Sequence, residues 1–198
     1  MNPQELLFED RVSKIVYHGS NSRFSKFNPQ KARIPNDLYG GGVAYFTDNL
    51  KIGIRYAKAM SKYQGEPYLY TVTLSLSNIF DVDSMFTGNE LINLLPDDLE
   101  GFARGSRLLS LGTDKYKVIY ALQSGEVELT GEQVFRGLSK GMTNTREARN
   151  HLKQQGYDGL RYNGGMNMNM DIKHNVYLAY DSDSIDIKKR QRVVKKTA

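Results

Sequence analysis

The chain has 198 residues, a length that favours a single domain, and its 39% hydrophobic and 25% charged residues are ordinary for a globular protein. It contains no cysteine, which excludes disulfides and thiolate catalysis, and no run of about 20 apolar residues that could span a membrane. The net charge of +5 is concentrated at the end of the chain, because residues 188–198 carry six basic residues and no acidic one.

The first half of the chain predicts strands around one longer helix. In chain order, the predicted elements are a short helix over 2–10, strands over Lys14–Tyr17 and Val43–Phe46, a helix over about 49–62 and a strand over Tyr68–Leu76. Asp48 is the predicted N-cap of the second helix, because an aspartate oxygen can accept from its first free amides. The last strand alternates in polarity, which is typical of a half-buried strand.

The second half mixes helical patches with strands that dominate its end. The predicted elements are helical patches over Asn89–Leu95 and Gly131–Leu138, a helix over about 145–155, strands over Gly159–Tyr162 and Val176–Tyr180, and an edge strand at Ile185 and Ile187. Asn144 and Glu147 have the spacing of a capping box, and Gly156 is placed to end the helix. Several short strands with a few helices predict an α+β protein with a mostly antiparallel sheet.

Three groups of residues combine glycines with polar or aromatic side chains. A glycine beside a histidine lets the backbone approach a ligand while the imidazole forms a hydrogen bond. Each group alone is equally compatible with a turn or with core packing. The groups are His18-Gly19-Ser20, the run from Gly40 to Asp48 followed by Tyr56, and Gly156–Tyr162 followed by Asn175–Asp181.

In this order, the segments HGS, GGGVAYFTD, YLYTVTL and VYLAYD, with Tyr56 between the second and third, resemble the catalytic domain of the diphtheria-toxin-like ADP-ribosyltransferases. The poly(ADP-ribose) polymerases belong to that family, and residues 115–187 look closer to similar domains in phage and mobile-element polyproteins. The resemblance covers about 14–82 and 145–187. It implies two packed, mostly antiparallel sheets with flanking helices in one domain over 1–187, with 84–142 a family-variable region and 188–198 a basic tail.

The resemblance also implies roles for individual residues in binding NAD. His18 would bond a hydroxyl of the adenosine ribose, Ser20 would bond the same ribose, and the backbone of Gly19 would pair with the nicotinamide carboxamide. Tyr45 and Tyr56 would lie on the two faces of the nicotinamide, an arrangement that suits a cationic ring. Gly53 stands where the family has a serine that bonds the carboxamide.

The chain departs from the family most clearly at the catalytic glutamate. Counting back from Asp181 places that glutamate at Val176, and a one-residue shift places it at Asn175; neither is a carboxylate. Val176 cannot bond a ribose hydroxyl or stabilise a cationic transition state. Asp171, in the preceding loop, is a nearby carboxylate that could substitute. His174 is close enough to this motif to touch a substrate, whereas His151 is predicted on the surface of a helix.

The function implied is mono-ADP-ribosylation of a macromolecular acceptor, with a host protein favoured over a nucleic acid, in the cytoplasm and in a phage or bacterial setting. NAD would be the substrate, and no membrane contact is expected. No metal is expected either, since three separated histidines do not have the spacing of metal ligands. Two alternatives stay open. One is an NAD- or ADP-ribose-binding module without catalysis. The other is a nucleic-acid-directed protein that uses the basic tail.

Overall fold

The computed structural model describes residues 12–28, 39, 44–111, 114–164 and 172–194, which form a mixed α+β structure. The strands of this part are β1 (Val12–Ser20), β2 (Ala44–Thr47), β3 (Tyr68–Leu76), β4 (Ile79–Asp81), β5 (Met85–Phe86), β6 (Leu129–Thr130), β7 (Gly159–Asn163), β8 (Asn175–Ala179) and β9 (Ile185–Arg192). Its helices are α1 (Leu50–Met60), α2 (Gly88–Leu94), α3 (Leu99–Gly105), α4 (Lys115–Ser124), α5 (Gly131–Leu138) and α6 (Thr145–Gln154).

Seven strands form one sheet in the order β4-β7-β8-β2-β1-β3-β9, and β5 pairs with β6 in a separate ribbon. All neighbours in the large sheet are antiparallel except β4 and β7. The α+β class with a mostly antiparallel sheet is therefore confirmed. The structure does not have the two separate sheets that the resemblance implies. The pair Tyr17↔Thr47 joins β1 to β2, so the strands on either side of this pair belong to one sheet.

Most elements lie where the sequence pattern predicts them. The alternating strand over Tyr68–Leu76 matches β3 residue for residue, and the helical patch over Gly131–Leu138 matches α5. Gly156 follows α6 with a φ of 88°, as a glycine that ends a helix does. The predicted helix over 2–10 lies outside the described residues.

One predicted helix cap and one predicted capping box are wrong. Asn49, not Asp48, is the N-cap of α1, and its side chain accepts from the amides of Lys51 and Ile52. Asn144 begins α6 but makes no side-chain cap to the backbone, since its amide bonds the Glu147 carboxylate instead. A capping box does form at α5, between Thr130 and Gln133.

Two groups of buried side chains lie on opposite faces of β8. The helix-side core includes Leu178 and Tyr180 together with side chains of β4, β7 and helices α2–α6. The loop-side core includes Tyr177 and Ala179 with side chains of β1, β2, β3 and the loop after β1. Successive residues of a strand point to opposite faces, so β8 separates the two cores.

The strand β9 extends further than the sequence predicts. It continues to Arg192 along β3, so residues 188–192, assigned above to the basic tail, are strand residues. Their charges have partners within the fold: Lys188 pairs with Asp186 and Arg192 with Glu66. Arg190 donates to the carbonyl oxygen of Phe24 at 3.0 Å.

Candidate functional site

His18 lies on β1 among aromatic rings of the loop-side core. Its ring centroid lies 5.1 Å from that of Phe27, and those of Phe46, Tyr70 and Phe24 lie 5.8–6.2 Å away. Its Nδ1 lies 2.8 Å from the carbonyl oxygen of Tyr45. Because a carbonyl only accepts, Nδ1 carries the hydrogen and Nε2 keeps its lone pair. Burial lowers the pKa of His18 and outweighs the opposing effect of this hydrogen bond, so the imidazole is neutral at pH 7.

This hydrogen bond forms where the pairing of β1 with β2 stops. Asp48 N donates to Asn175 O, so the backbone N–H of Asp48 faces β8. Because backbone N–H and C=O groups face alternate sides along a strand, those of Tyr45 and Thr47 face β1. The same alternation along β1 directs the N–H and C=O of Gly19 towards β2. The register of the two strands nevertheless consists of Tyr17↔Thr47, and the Tyr45 carbonyl bonds the His18 side chain. The backbone of Gly19 therefore faces β2, and the register of the two strands includes no pair at this residue.

Helix α1 packs directly onto this glycine. A Cβ at Gly19 would lie 2.3 Å from the Ala57 nitrogen, 2.5 Å from the Gly53 oxygen and 2.8 Å from the Tyr56 Cβ. Such distances are shorter than any real contact, so the close approach of α1 to β1 requires a glycine at this position. The approach brings the Cβ of Tyr56 next to the face of Gly19 that α1 covers.

Tyr45 and Tyr56 both belong to the face of β1 and β2 that α1 covers. Tyr45 alternates with Ala44 and Phe46, which lie in the loop-side core, and its ring packs against the helix-side core. Tyr56 is half-buried, and burial raises the pKa of its hydroxyl. The structure therefore brings Gly19, Tyr45 and Tyr56 to one face, while His18 reaches the same edge from the opposite face.

Gly53 is also tightly packed. A Cβ there would lie 2.8 Å from the Tyr17 Cβ and 3.0 Å from the Leu69 Cδ1. The serine that the resemblance leads one to expect at this position would therefore push α1 away from β1. Ser20 lies at the end of β1, where its hydroxyl oxygen accepts from the Ser22 amide at 3.1 Å.

Val176 is buried, with 5% of its surface exposed. It lies opposite Thr47 of β2 and Tyr162 of β7, on the face of β8 that carries Leu178. A Cβ at Gly164 would lie 2.6 Å from the Val176 Cγ2, so Gly164 packs directly beside this side chain. Asp171, the carboxylate expected to substitute here, lies outside the described residues.

Asp48 has a role that the sequence did not predict. Its carboxylate accepts from the backbone amide of Asn175 at 3.0 Å and from the side-chain amide at 2.7 Å, which fixes the start of β8 against the end of β2. Lys14 lies 4.0 Å away. Asp48 and Asn175 lie on the face opposite Val176, so this carboxylate does not replace the glutamate. An aspartate directly after a short strand is the only signal in the sequence, and it fits a helix cap equally well.

The described residues give little support to a metal site or a membrane-spanning helix. No group of three or more histidine, aspartate or glutamate side chains in the described ranges is close enough together to hold a metal ion. Over the same ranges, no helix has the length and apolar character needed to cross a membrane. His151 is half-buried rather than on the surface, and its Nε2 lies 3.0 Å from the Leu94 carbonyl oxygen.

Comparison of the chain with models of known protein families, with characterised proteins and with solved structures finds no match.

Proposed function

We propose that this chain has the ADP-ribosyltransferase fold, binds NAD at the edge of β1 and transfers ADP-ribose to a macromolecular acceptor. The observation that carries the proposal is the position of Gly19, whose N–H and C=O are directed towards β2 beyond the last register pair of the two strands. A carboxamide such as that of nicotinamide has one donor and one acceptor, so it can complete this edge as a strand residue would.

The surrounding side chains fit the rest of the ligand. Tyr56 begins beside the glycine, Tyr45 belongs to the same face of the sheet, and aromatic rings attract a cationic pyridinium. The hydrogen bond to Tyr45 leaves the Nε2 lone pair of His18 as an acceptor, which suits the hydroxyl of a ribose. These groups are held by strand pairing and by close packing of α1, so little ordering is needed on binding.

The acceptor is proposed to be a protein rather than a nucleic acid, in a bacterial or phage-infected cytoplasm. Lys188 and Arg192 of β9 form ion pairs with Asp186 and Glu66, which reduces the net positive charge that β9 presents to a polyanion. The nucleic-acid-directed alternative then depends on Lys189 and on the basic residues beyond Val194.

Burial of Val176 favours a second candidate function, an NAD-binding module without catalysis. An apolar side chain at this position provides no charge for the transition state, and losing such a group costs about 10²–10³-fold in rate. Transfer would then require a carboxylate from the acceptor itself. The two candidates share the same NAD site and differ in whether nicotinamide is released.

The experiment is incubation of the full chain with labelled NAD and a bacterial lysate. His18→Ala and Tyr56→Ala remove two groups of the site. His151→Ala and Tyr63→Ala are matched controls, because His151 lies on α6 and Tyr63 is 88% exposed beyond α1. We expect label on a discrete lysate protein, lost in the first two variants and kept in the controls.

Other outcomes discriminate between the two functions. NAD binding measured by calorimetry, with neither label transfer nor nicotinamide release, would favour the binding module. If the intact chain does not bind NAD, or if the Tyr63 variant loses as much binding as the Tyr56 variant, the proposed site is wrong.

A further inference from the structure

We propose that His174 provides, through Nε2, the hydrogen-bond acceptor for a hydroxyl of the NAD ribose that carries nicotinamide. The inference rests on the proposed function and deepens it, because it assigns to His174 the contact that Val176 cannot make. Its support comes from the tautomer of His174, its burial and its position beside Val176.

The tautomer is set by a backbone carbonyl. Nδ1 of His174 lies 2.9 Å from the carbonyl oxygen of Ile172, so Nδ1 carries the hydrogen and donates it. In the neutral imidazole, Nε2 is then left with a lone pair and accepts. His18 is held in the same tautomer by Tyr45, so both histidines present an accepting Nε2.

The accepting nitrogen is buried without a partner. His174 is 5% exposed, and its Nε2 has no hydrogen-bond partner among the described residues. Buried polar atoms are nearly always hydrogen-bonded, and leaving one without a partner is unfavourable for folding. A ligand hydroxyl that donates to Nε2 would remove this cost, whereas an apolar ligand group would not.

Nε2 lies beside the side chain of Val176. His174 directly precedes β8, two residues before Val176. A Cβ at Gly164 would lie 2.4 Å from Nε2 and 2.6 Å from the Val176 Cγ2, so one backbone position contacts both. The Gly164 amide also donates to the His174 carbonyl at 2.9 Å. A hydroxyl can reach Nε2 only if Gly164 moves away from the ring.

A neutral imidazole does less than a carboxylate at this position. It can orient the ribose by accepting one hydrogen bond, but it carries no negative charge to stabilise a cationic transition state. The assignment therefore predicts a chain that recognises the ribose hydroxyl but cleaves NAD slowly.

The test combines protein variants with NAD analogues in calorimetric binding measurements. The ligands are NAD and two analogues whose nicotinamide ribose lacks the 2′- or the 3′-hydroxyl. The variants are His174→Phe, which keeps a ring but removes the acceptor, and Gly164→Ala, whose added methyl displaces the imidazole. His151→Phe is the matched control, because its imidazole also contacts a backbone carbonyl but lies on α6.

The intact chain and the control are expected to bind one deoxy analogue about 3–10-fold more weakly than NAD, the range of a neutral hydrogen bond. His174→Phe and Gly164→Ala should bind NAD and that analogue equally. If these variants keep the full discrimination, or if the intact chain binds NAD but neither analogue differs, His174 does not contact the ribose. If the intact chain does not bind NAD at all, the proposed function itself fails.

Discussion

The imidazole of His18 takes the place of a backbone partner. The Tyr45 carbonyl oxygen accepts the hydrogen of His18 Nδ1. Tyr45 lies where the next backbone pair after Tyr17↔Thr47 would join β2 to Gly19. The surrounding rings of Phe24, Phe27 and Tyr70 keep the imidazole in this position and neutral. A single residue thus fixes the tautomer of the site and leaves the neighbouring glycine available to a ligand.

The burial of His18 predicts a dependence of stability on pH. Its pKa is below the ordinary value of 6.5 in the folded chain, so below about pH 6.5 the unfolded chain binds a proton that the folded chain does not. We expect the free energy of unfolding, measured with urea, to be lower at about pH 5 than at pH 7. His18→Asn, which can still donate to Tyr45, should lose less stability on acidification. An equal loss in the intact chain, in this variant and in His151→Asn would contradict the prediction.

Gly53 gives a second prediction at the scale of one residue. Its Cα lies so close to Tyr17 and Leu69 that Gly53→Ser should lower the free energy of unfolding by about 1–3 kcal/mol, as overpacking does. Urea unfolding measures the change. Lys51→Ser, at an exposed position of α1, corrects for helix propensity. If Gly53→Ser keeps its stability and binds NAD more tightly, α1 lies further from β1 than the structure places it.

The elements show how far the sequence alone could predict this fold. Alternating polarity predicted β3, and spacing predicted α1 and α6, because these patterns depend on local burial. The cap of α1 was misassigned because Asp48 and Asn49 are both good caps, and the choice depends on a partner at Asn175, 127 residues away. The open edge at Gly19 depends on contacts between strands, which local patterns do not contain.

The length of β9 predicts that part of the basic segment is needed for folding. A chain that ends at Ile187 loses the pairs between residues 189–192 and β3 and the contact of Arg190 with Phe24. We expect its melting temperature to fall by about 5–10 °C.

A chain that ends at Val194 keeps all of β9 and should melt like the intact protein. If the chain that ends at Ile187 has the same melting temperature as the intact protein, residues 189–192 do not contribute to the stability of the sheet. If the chain that ends at Val194 also binds RNA as well as the intact chain does at low salt, the basic residues beyond Val194 do not direct the protein to nucleic acid.

At the scale of the whole molecule, the region over 84–142 is part of the core rather than an appendage. The resemblance assigns it to a family-variable region. In the structure its side chains Phe102, Leu122 and Phe135 are buried against Leu160 and Leu178 of the large sheet. Because β8 contributes to both cores, loss of the helix-side core should also affect the strand that carries Val176.

This arrangement predicts that the helical region and the sheet unfold together. Phe135→Ala removes a fully buried ring of α5 and should lower the free energy of unfolding by about 3–5 kcal/mol. Tyr116→Ala, at a position on α4 that is 73% exposed, should change it by less than about 0.5 kcal/mol. Urea transitions followed by circular dichroism and by Tyr fluorescence should coincide in all three proteins, since one cooperative unit unfolds in one step. Two separated transitions, with only the first shifted by Phe135→Ala, would instead mean that the helices fold independently of the sheet and that the NAD site does not depend on them.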